Sequence, residues 1–199
     1  AAVFYVTPSF ILFALALGLL FFLLVLRPAW GLALVALTIP FYVPPLPKLI
    51  LGYRFSPVEV FTWVTAAALA TRALLDMGPA ARGRVLRLPR PRPVRADWAV
   101  LAFVLVATFS LFFTARKDVA VSEWRVVIFG PALFYLLLRV ARLSRRERWV
   151  ILDAYVLSGL IIALYGLWQY ATGTNLITAE GGVMRLRSIY GSPNNVALY

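Results

Sequence analysis

Residues 149–170 read WVILDAYVLSGLIIALYGLWQY and contain a single charged side chain, Asp153. A bilayer core of about 30 Å is crossed by about 20 apolar helical residues, so the stretch has the length and composition of a membrane span. Tyr165, Trp168 and Tyr170 gather at its far end, where an aromatic belt would lie at the membrane surface. The stretch therefore predicts a transmembrane helix.

The rest of the chain repeats this pattern. Hydrophobic residues make up 62% of the 199 residues and the mean hydropathy is +0.86, whereas soluble domains carry roughly 45–50% apolar residues. We predict an all-α polytopic transmembrane helical bundle with about six spans and the start of a seventh. We expect residues 1–199 to be the N-terminal part of a single transmembrane domain. The predicted spans are residues 9–26, 29–43, 56–75, 97–114, 119–138 and 149–170.

Local signals predict where several helices begin or bend. The sequence Ser56-Pro57-Val58-Glu59 places serine at the N-cap, proline at the first helical position and a glutamate that reaches back to the cap. Residues 144–147 repeat the capping-box pattern before the sixth span. Asp97 is predicted as the N-cap of the fourth span, and Gly130-Pro131 should kink the fifth.

Cationic residues are distributed unevenly between the ends of these spans. With Arg27 and Arg72, the two basic loops at residues 76–96 and 139–148 place 13 of the 20 lysines and arginines on one side. The positive-inside rule makes that side cytoplasmic, and this explains the net charge of +12 without a nucleic acid partner. Ala1 and the loop at 171–195 are then predicted outside the cytoplasm. An external Ala1 fits at least one further span upstream, so we expect the chain to be a fragment of a larger bundle.

Two arginines in the external loop are the leading candidates for binding chemistry. Arg185 and Arg187 each offer a planar fork of donors that suits phosphate oxygens. Their position is notable because the positive-inside bias acts against external arginines. The two side chains would share a face in an extended segment and would diverge in a helix. Arg125, at the outer end of the fifth span, is a third candidate, and the simpler alternative for all three is contact with solvent or lipid headgroups.

A turn follows the arginine pair. Gly191-Ser192-Pro193-Asn194-Asn195 predicts a turn and the cap of the next helix, because glycine and asparagine tolerate unusual φ angles and the residue before proline leaves the α region. Free amides at that helix start would add an anion-binding element behind the arginines. The combination predicts a phosphate or pyrophosphate site on the outer face.

The composition restricts the chemistry available to such a site. Cysteine and histidine are both absent from the 199 residues. Their absence removes the commonest metal ligands and the usual general base near neutral pH. We therefore predict neither a metal site nor a cofactor, and no catalytic residue is assigned within these residues.

Residues 169–199 contain, in order, Gln169-Tyr170-Ala171-Thr172-Gly173, a short loop, the sequence RLRSIYGSPN at 185–194, and a stretch of small residues with Ala197. This order resembles the O-antigen ligase and O-antigen polymerase family of bacterial inner-membrane proteins. The pattern of that family is an arginine-containing strand that leads to Pro-Asn before a transmembrane helix. Ser188 stands where many members have glycine, and Ser192 where asparagine or histidine is common.

The resemblance implies a function in polysaccharide biosynthesis at the cell envelope, such as that of lipopolysaccharide. Members transfer a glycan from an undecaprenyl-pyrophosphate carrier to a lipid, glycan or protein acceptor on the periplasmic face of the inner membrane. The resemblance implies that Arg185 binds the carrier pyrophosphate, that Arg187 is a second ligand, and that Gly191, Pro193 and Asn194 form the structural motif. It also implies a histidine in a later loop that helps to activate the acceptor hydroxyl, and this chain contains no histidine.

Two other classes of membrane protein fit the same sequence. A transporter or channel subunit for a small anion would also recruit negative charge with outward arginines and helix N-termini. A membrane scaffold would use Arg185 for association with a partner. A large external loop with histidine beyond Tyr199 would favour the transferase, whereas a second half that repeats the first with broken helices would favour the transporter.

Overall fold

The computed structural model describes residues 10–42, 49–50, 53–76, 93–178, 184–186 and 188–190. Most of these residues are helical, which confirms the predicted predominance of helix. The α-helices are α1 Phe10–Leu26, α2 Pro28–Thr38, α3 Pro57–Asp76, α4 Arg95–Ser110, α5 Lys117–Glu123, α6 Gly130–Val140 and α7 Arg145–Thr172. Short 3₁₀ segments follow α2 and α4, at Ile39–Tyr42 and Leu111–Phe113.

Two short antiparallel strand pairs accompany the helices, one between α2 and α3 and one after α7. Strand β1, Leu49–Ile50, pairs with β2, Tyr53–Arg54. Strand β3, Leu176–Thr178, pairs with β4, Met184–Leu186. Neither strand pairing was predicted, although the resemblance implies an arginine-containing strand; the second pair lies within residues 171–195, which are predicted as an external loop.

Four helices of the described residues are long and apolar enough to cross a membrane, which supports the prediction that the chain is a membrane protein. They are Pro57–Leu75, Arg95–Phe113, Lys117–Val140 and Arg145–Thr172. The first two predicted spans correspond to shorter apolar helices, α1 and α2. A count of six spans and their arrangement as a bundle stay predictions.

The apolar helices differ in how much surface they expose. In α2, Leu32, Val35 and Ala36 are at most 2% exposed. In α4 no residue is buried, and Val106 is 70% exposed. Apolar surface on that scale is unfavourable in water, so α4 fits an environment of lipid or of neighbouring helices.

The chain divides into two compact units, which are Ala1–Leu32 with Phe61–Ser144, and Ala33–Val60 with Arg145–Tyr199. In the first unit, polar contacts join helix ends that the alternation of spans predicts on one side. Arg72 Nη1 donates to the carbonyl oxygen of Leu26 at 2.8 Å, which joins the C-terminal ends of α3 and α1. This contact agrees with the predicted alternation of the spans between the two sides of the membrane. The compartment that this side faces stays a prediction.

The predicted capping box at the start of α3 is confirmed. The helix begins at Pro57, directly after Ser56. The Ser56 amide and hydroxyl donate to Glu59 Oε2 at 2.7 and 2.8 Å, and the Glu59 amide donates back to Ser56 Oγ at 3.4 Å. Both side chains are buried, so the role of Glu59 is to cap the helix.

The prediction that Asp97 is an N-cap is wrong. Helix α4 begins at Arg95 with Val94 at the N-cap, and Asp97 Oδ2 accepts the Val94 amide at 2.8 Å from the third helical position. The same carboxylate binds the end of α6, because Asp97 Oδ1 accepts Tyr135 Oη at 2.7 Å and Arg139 Nε at 3.0 Å. Arg139 Nη2 completes a forked ion pair with Asp97 Oδ2 at 3.0 Å.

The predicted basic loop at 139–148 is much shorter in the structure. Helix α6 continues to Val140 and α7 begins at Arg145, so only residues 141–144 connect them. Arginine and glutamate are good helix formers, and the helices extend through them. Of the other basic loop, 76–96, residues 77–92 lie outside the described residues.

The irregularity predicted at Gly130-Pro131 takes the form of a π-helical segment, Trp124–Phe129. The Gly130 amide donates to the carbonyl oxygen of Arg125, five residues earlier, instead of four. Pro131 has no amide proton and cannot continue the α-helical ladder, which explains the change of register before it. Arg125 therefore lies in a non-standard turn of the membrane-length helix Lys117–Val140.

Candidate functional site: an arginine strand at the end of α7

Arg185 lies in the middle of strand β4, opposite Ile177 of β3, and its side chain is exposed. Of the two conformations considered for this segment, the extended one is therefore found at residues 184–186. Arg187, Gly191, Pro193 and Asn194 lie outside the described residues. The site can be described from Arg185 and from the residues that hold its strand.

The end of α7 gives this strand its position. Helix α7 stops at Thr172 because Gly173 adopts a left-handed conformation with φ +67°. The Gly173 amide donates to the Tyr170 carbonyl at 3.3 Å, and the Thr174 amide donates to the Gln169 carbonyl at 3.0 Å. This pair of bonds is the Schellman arrangement, which turns the chain sharply at a helix end.

One face of α7 receives the strand. The buried residues of the helix are Ile151, Ser158, Ile162, Gly166 and Gln169, a spacing that lines up on one side of a helix. Gly166 permits the close approach, because a Cβ atom there would lie 3.1 Å from Leu186 Cδ1 and 3.7 Å from Ser188 Cβ. The end of β4 therefore packs directly against the helix backbone.

Ser188 is the anchor of the segment that follows β4. It is 1% exposed, and its carbonyl oxygen accepts hydrogen bonds from Gln169 Nε2 and Asn175 Nδ2, both at 3.2 Å. Its hydroxyl donates to the Ile162 carbonyl at 3.2 Å. Three hydrogen bonds thus hold one residue between the C-terminal end of α7 and the turn before β3.

The backbone at Ser188 is unusual. Its φ angle is +51°, in the left-handed region that non-glycine residues occupy at a cost. The three hydrogen bonds and the buried position maintain this conformation. A glycine would adopt it without that cost.

Arg125 is in the first unit and Arg185 in the second. Arg125 is half-buried, and the neighbouring aromatic rings pack around the π segment. Phe129 stacks on Trp124 and on Trp63 with ring centroids 5.4 and 5.5 Å apart, and Trp124 Nε1 donates to Thr108 Oγ1 at 3.1 Å. Among the described residues of β4, Arg185 is the candidate for anion binding.

Sequence reasoning assigned no role to Gly166, Gln169 and Asn175, which hold the strand in place. A usable signal existed, since Gln169 is an amide in an apolar span three residues after a glycine. Its side chain is 0% exposed, and its Oε1 has no hydrogen-bond donor among the residues that the structure describes. Buried amides of this kind are usually held by specific partners, and here the partner is Ser188.

The arrangement presents one exposed guanidinium on an anchored strand, at the end of a membrane-length apolar helix. Such a group binds phosphate oxygens through paired donors. Within the described ranges, no cluster of three or more acidic, histidine or cysteine residues could hold a metal ion. The chain is thus a helical protein of membrane character with an exposed cationic strand. No model of a known protein family matches the chain, and comparisons with curated proteins and with solved structures find no match.

Proposed function

We propose that this chain belongs to a membrane glycosyltransferase of the O-antigen ligase type, which moves a glycan from an undecaprenyl-pyrophosphate carrier to a lipid, glycan or protein acceptor. The observation that carries the proposal is the exposed Arg185 on a strand fastened to the end of α7. A membrane-length helix would hold that end near the membrane surface, where the pyrophosphate of a lipid carrier also lies.

The conformation of Ser188 also supports the proposal. The family that the sequence resembles often has glycine at this position, and the φ angle of +51° is one that glycine adopts readily. An unusual backbone angle is therefore found where the resemblance predicts a residue able to adopt it. The hydrogen bonds to Gln169 and Asn175 show how serine is held there.

The proposed reaction is a direct displacement. The acceptor hydroxyl oxygen attacks the anomeric carbon, the bond from that carbon to the pyrophosphate oxygen breaks, and the hydroxyl proton is released to a base. Arg185 would stabilise the negative charge that develops on the departing pyrophosphate, a form of catalysis that depends on fixed charge. Arg187 would be a second ligand of the same group.

The test is glycan transfer by the full-length protein in membranes. Arg185→Ala should lower the rate by about 10²–10³-fold, because one donor to a developing oxyanion is lost. Arg185→Lys should retain part of the rate, since charge remains without the fork. Met184→Ala, the exposed neighbour on the same strand, is the control and should transfer normally. Unchanged glycan transfer by Arg185→Ala would refute the proposed role of Arg185 in stabilising the pyrophosphate.

A transporter or channel subunit for a small anion is the second candidate. It is favoured by Arg125, because a half-buried arginine in a π-helical turn of a membrane-length helix is a candidate for an ion pathway. Phosphate uptake into vesicles that is lost in Arg125→Gln, together with no glycan transfer by the unchanged protein, would favour this candidate.

A further inference from the structure

A second cationic feature lies at the opposite end of α7 from Arg185. A shallow cavity of about 310 Å³ opens on the first turns of the helix and is lined, among the described residues, by Arg145, Arg148, Trp149 and Leu152. These residues follow the spacing i, i+3, i+4 and i+7, so they share one helical face. The cavity therefore combines two guanidinium groups with apolar surface.

The two guanidinium groups are available to a ligand. Arg145 and Arg148 are exposed, and within the described part of the chain neither side chain is in a hydrogen bond or an ion pair. The acidic residue Asp153 lies about a quarter of a turn from the centre of this face, at 3.6 residues per turn, and does not line the cavity. The lining of the cavity thus carries a local positive charge.

The position along the helix suggests the depth of the cavity in a bilayer. Helix α7 has 28 residues, or about 42 Å at 1.5 Å per residue, which exceeds a hydrocarbon core of about 30 Å. Its first turn would then lie among the headgroups. Trp149, which is 55% exposed, has the usual position of an interfacial aromatic, and Leu152 lies nearly one turn deeper.

We infer that this cavity binds an anionic phospholipid. The lipid phosphate would accept hydrogen bonds from Arg145 and Arg148, and an acyl chain would lie along Trp149 and Leu152. Paired guanidinium donors match a phosphate, and the apolar part of the lining matches a lipid tail and not a soluble anion. This inference does not depend on the proposed glycan transfer, because the two features lie at opposite ends of α7.

The experiment measures binding of phosphatidylglycerol to the purified full-length protein in detergent, with phosphatidylcholine as the uncharged comparison. The variant Arg145→Gln/Arg148→Gln should bind phosphatidylglycerol about tenfold more weakly. The matched control is Arg142→Gln/Arg146→Gln, which removes the same charge from exposed positions outside the cavity lining. It should bind as the unchanged protein does.

Three results would overturn the inference. Equally weakened phosphatidylglycerol binding in the two double variants would show a general attraction between charges and no specific site. Unchanged binding in Arg145→Gln/Arg148→Gln would exclude these arginines. Millimolar inorganic phosphate could also displace phosphatidylglycerol as effectively as unlabelled lipid does. That result would assign the cavity to a free anion and not to a phospholipid. Glycan transfer by the variant Arg145→Gln/Arg148→Gln tests the proposed function and not the lipid site, so the two failures can be told apart.

Discussion

Two of the three hydrogen bonds that fasten β4, the strand with Arg185, share one acceptor, the carbonyl oxygen of Ser188. Gln169 and Asn175 both donate to the Ser188 carbonyl, so either donor alone still satisfies it. A neutral hydrogen bond contributes about 1 kcal/mol net, whereas a buried acceptor left without any donor costs about 1–3 kcal/mol more. Loss of one donor should therefore be tolerated, and loss of both should favour detachment of the strand by more than the sum of the two single losses.

The variants Gln169→Leu and Asn175→Gly test this in a double-mutant cycle. Glycine suits position 175 because φ there is +56°. Each single variant should ease detachment of the strand by about 1 kcal/mol. The double variant should ease it by about 3–5 kcal/mol, which leaves a coupling of about 1–3 kcal/mol between the two sites.

Cysteine labelling measures the detachment. The chain has no cysteine, so Leu186→Cys introduces one reporter on the half-buried side chain that packs against Gly166. Its reaction with a maleimide should accelerate about fivefold in each single variant and more than about a hundredfold in the double variant. Met184→Cys is the control on the same strand, since that side chain is already 55% exposed and should react equally in every background.

The reasoning fails if the acceleration in the double variant equals the product of the two single effects, because the two donors would then not share one acceptor. It also fails if the cysteine introduced at position 186 reacts equally in all four backgrounds. Faster reaction at position 184 as well would indicate general unfolding and not detachment of the strand.

Two further predictions concern the first unit. Asp97→Asn should lower the thermal unfolding midpoint of the detergent-solubilised protein, because Arg139 loses its forked ion pair; an unchanged midpoint would contradict a stabilising role. Gly31→Ala should destabilise the protein by about 1–3 kcal/mol, because the new Cβ would lie 2.6 Å from Thr65 Oγ1. Gly18→Ala is its control in chemical unfolding, since nothing lies within 4 Å of that Cβ, and equal effects would refute the packing argument.

Helix ends illustrate what could be predicted from sequence. The start of α3 was predicted to the residue, because the partners of its capping box lie within Ser56–Glu59. The role of Asp97 was misassigned, because its partners Tyr135 and Arg139 are 38 and 42 residues away. Capping depends on neighbouring residues, whereas an ion pair between helices depends on how those helices pack.

The candidate site shows the same division. The alternation of Arg185 with apolar residues allowed an extended segment, and the strand pairing with Ile177 selected it. The glycine that admits Leu186 and the glutamine that holds Ser188 were not predicted, since both look like ordinary residues of an apolar span. Their role depends on a segment about twenty residues later in the chain folding back onto α7.

The sequence by itself determined that the chain is rich in apolar helices of membrane length, and it predicted arginines outside the cytoplasm, where the positive-inside rule does not explain them. These properties depend on hydropathy, length and charge, which are local and additive. Only the tertiary structure decided that Arg185 is exposed on a strand anchored through Ser188 to the end of α7. That outcome depends on close packing at Gly166 and on hydrogen bonds between distant residues, which exist only once the chain has folded.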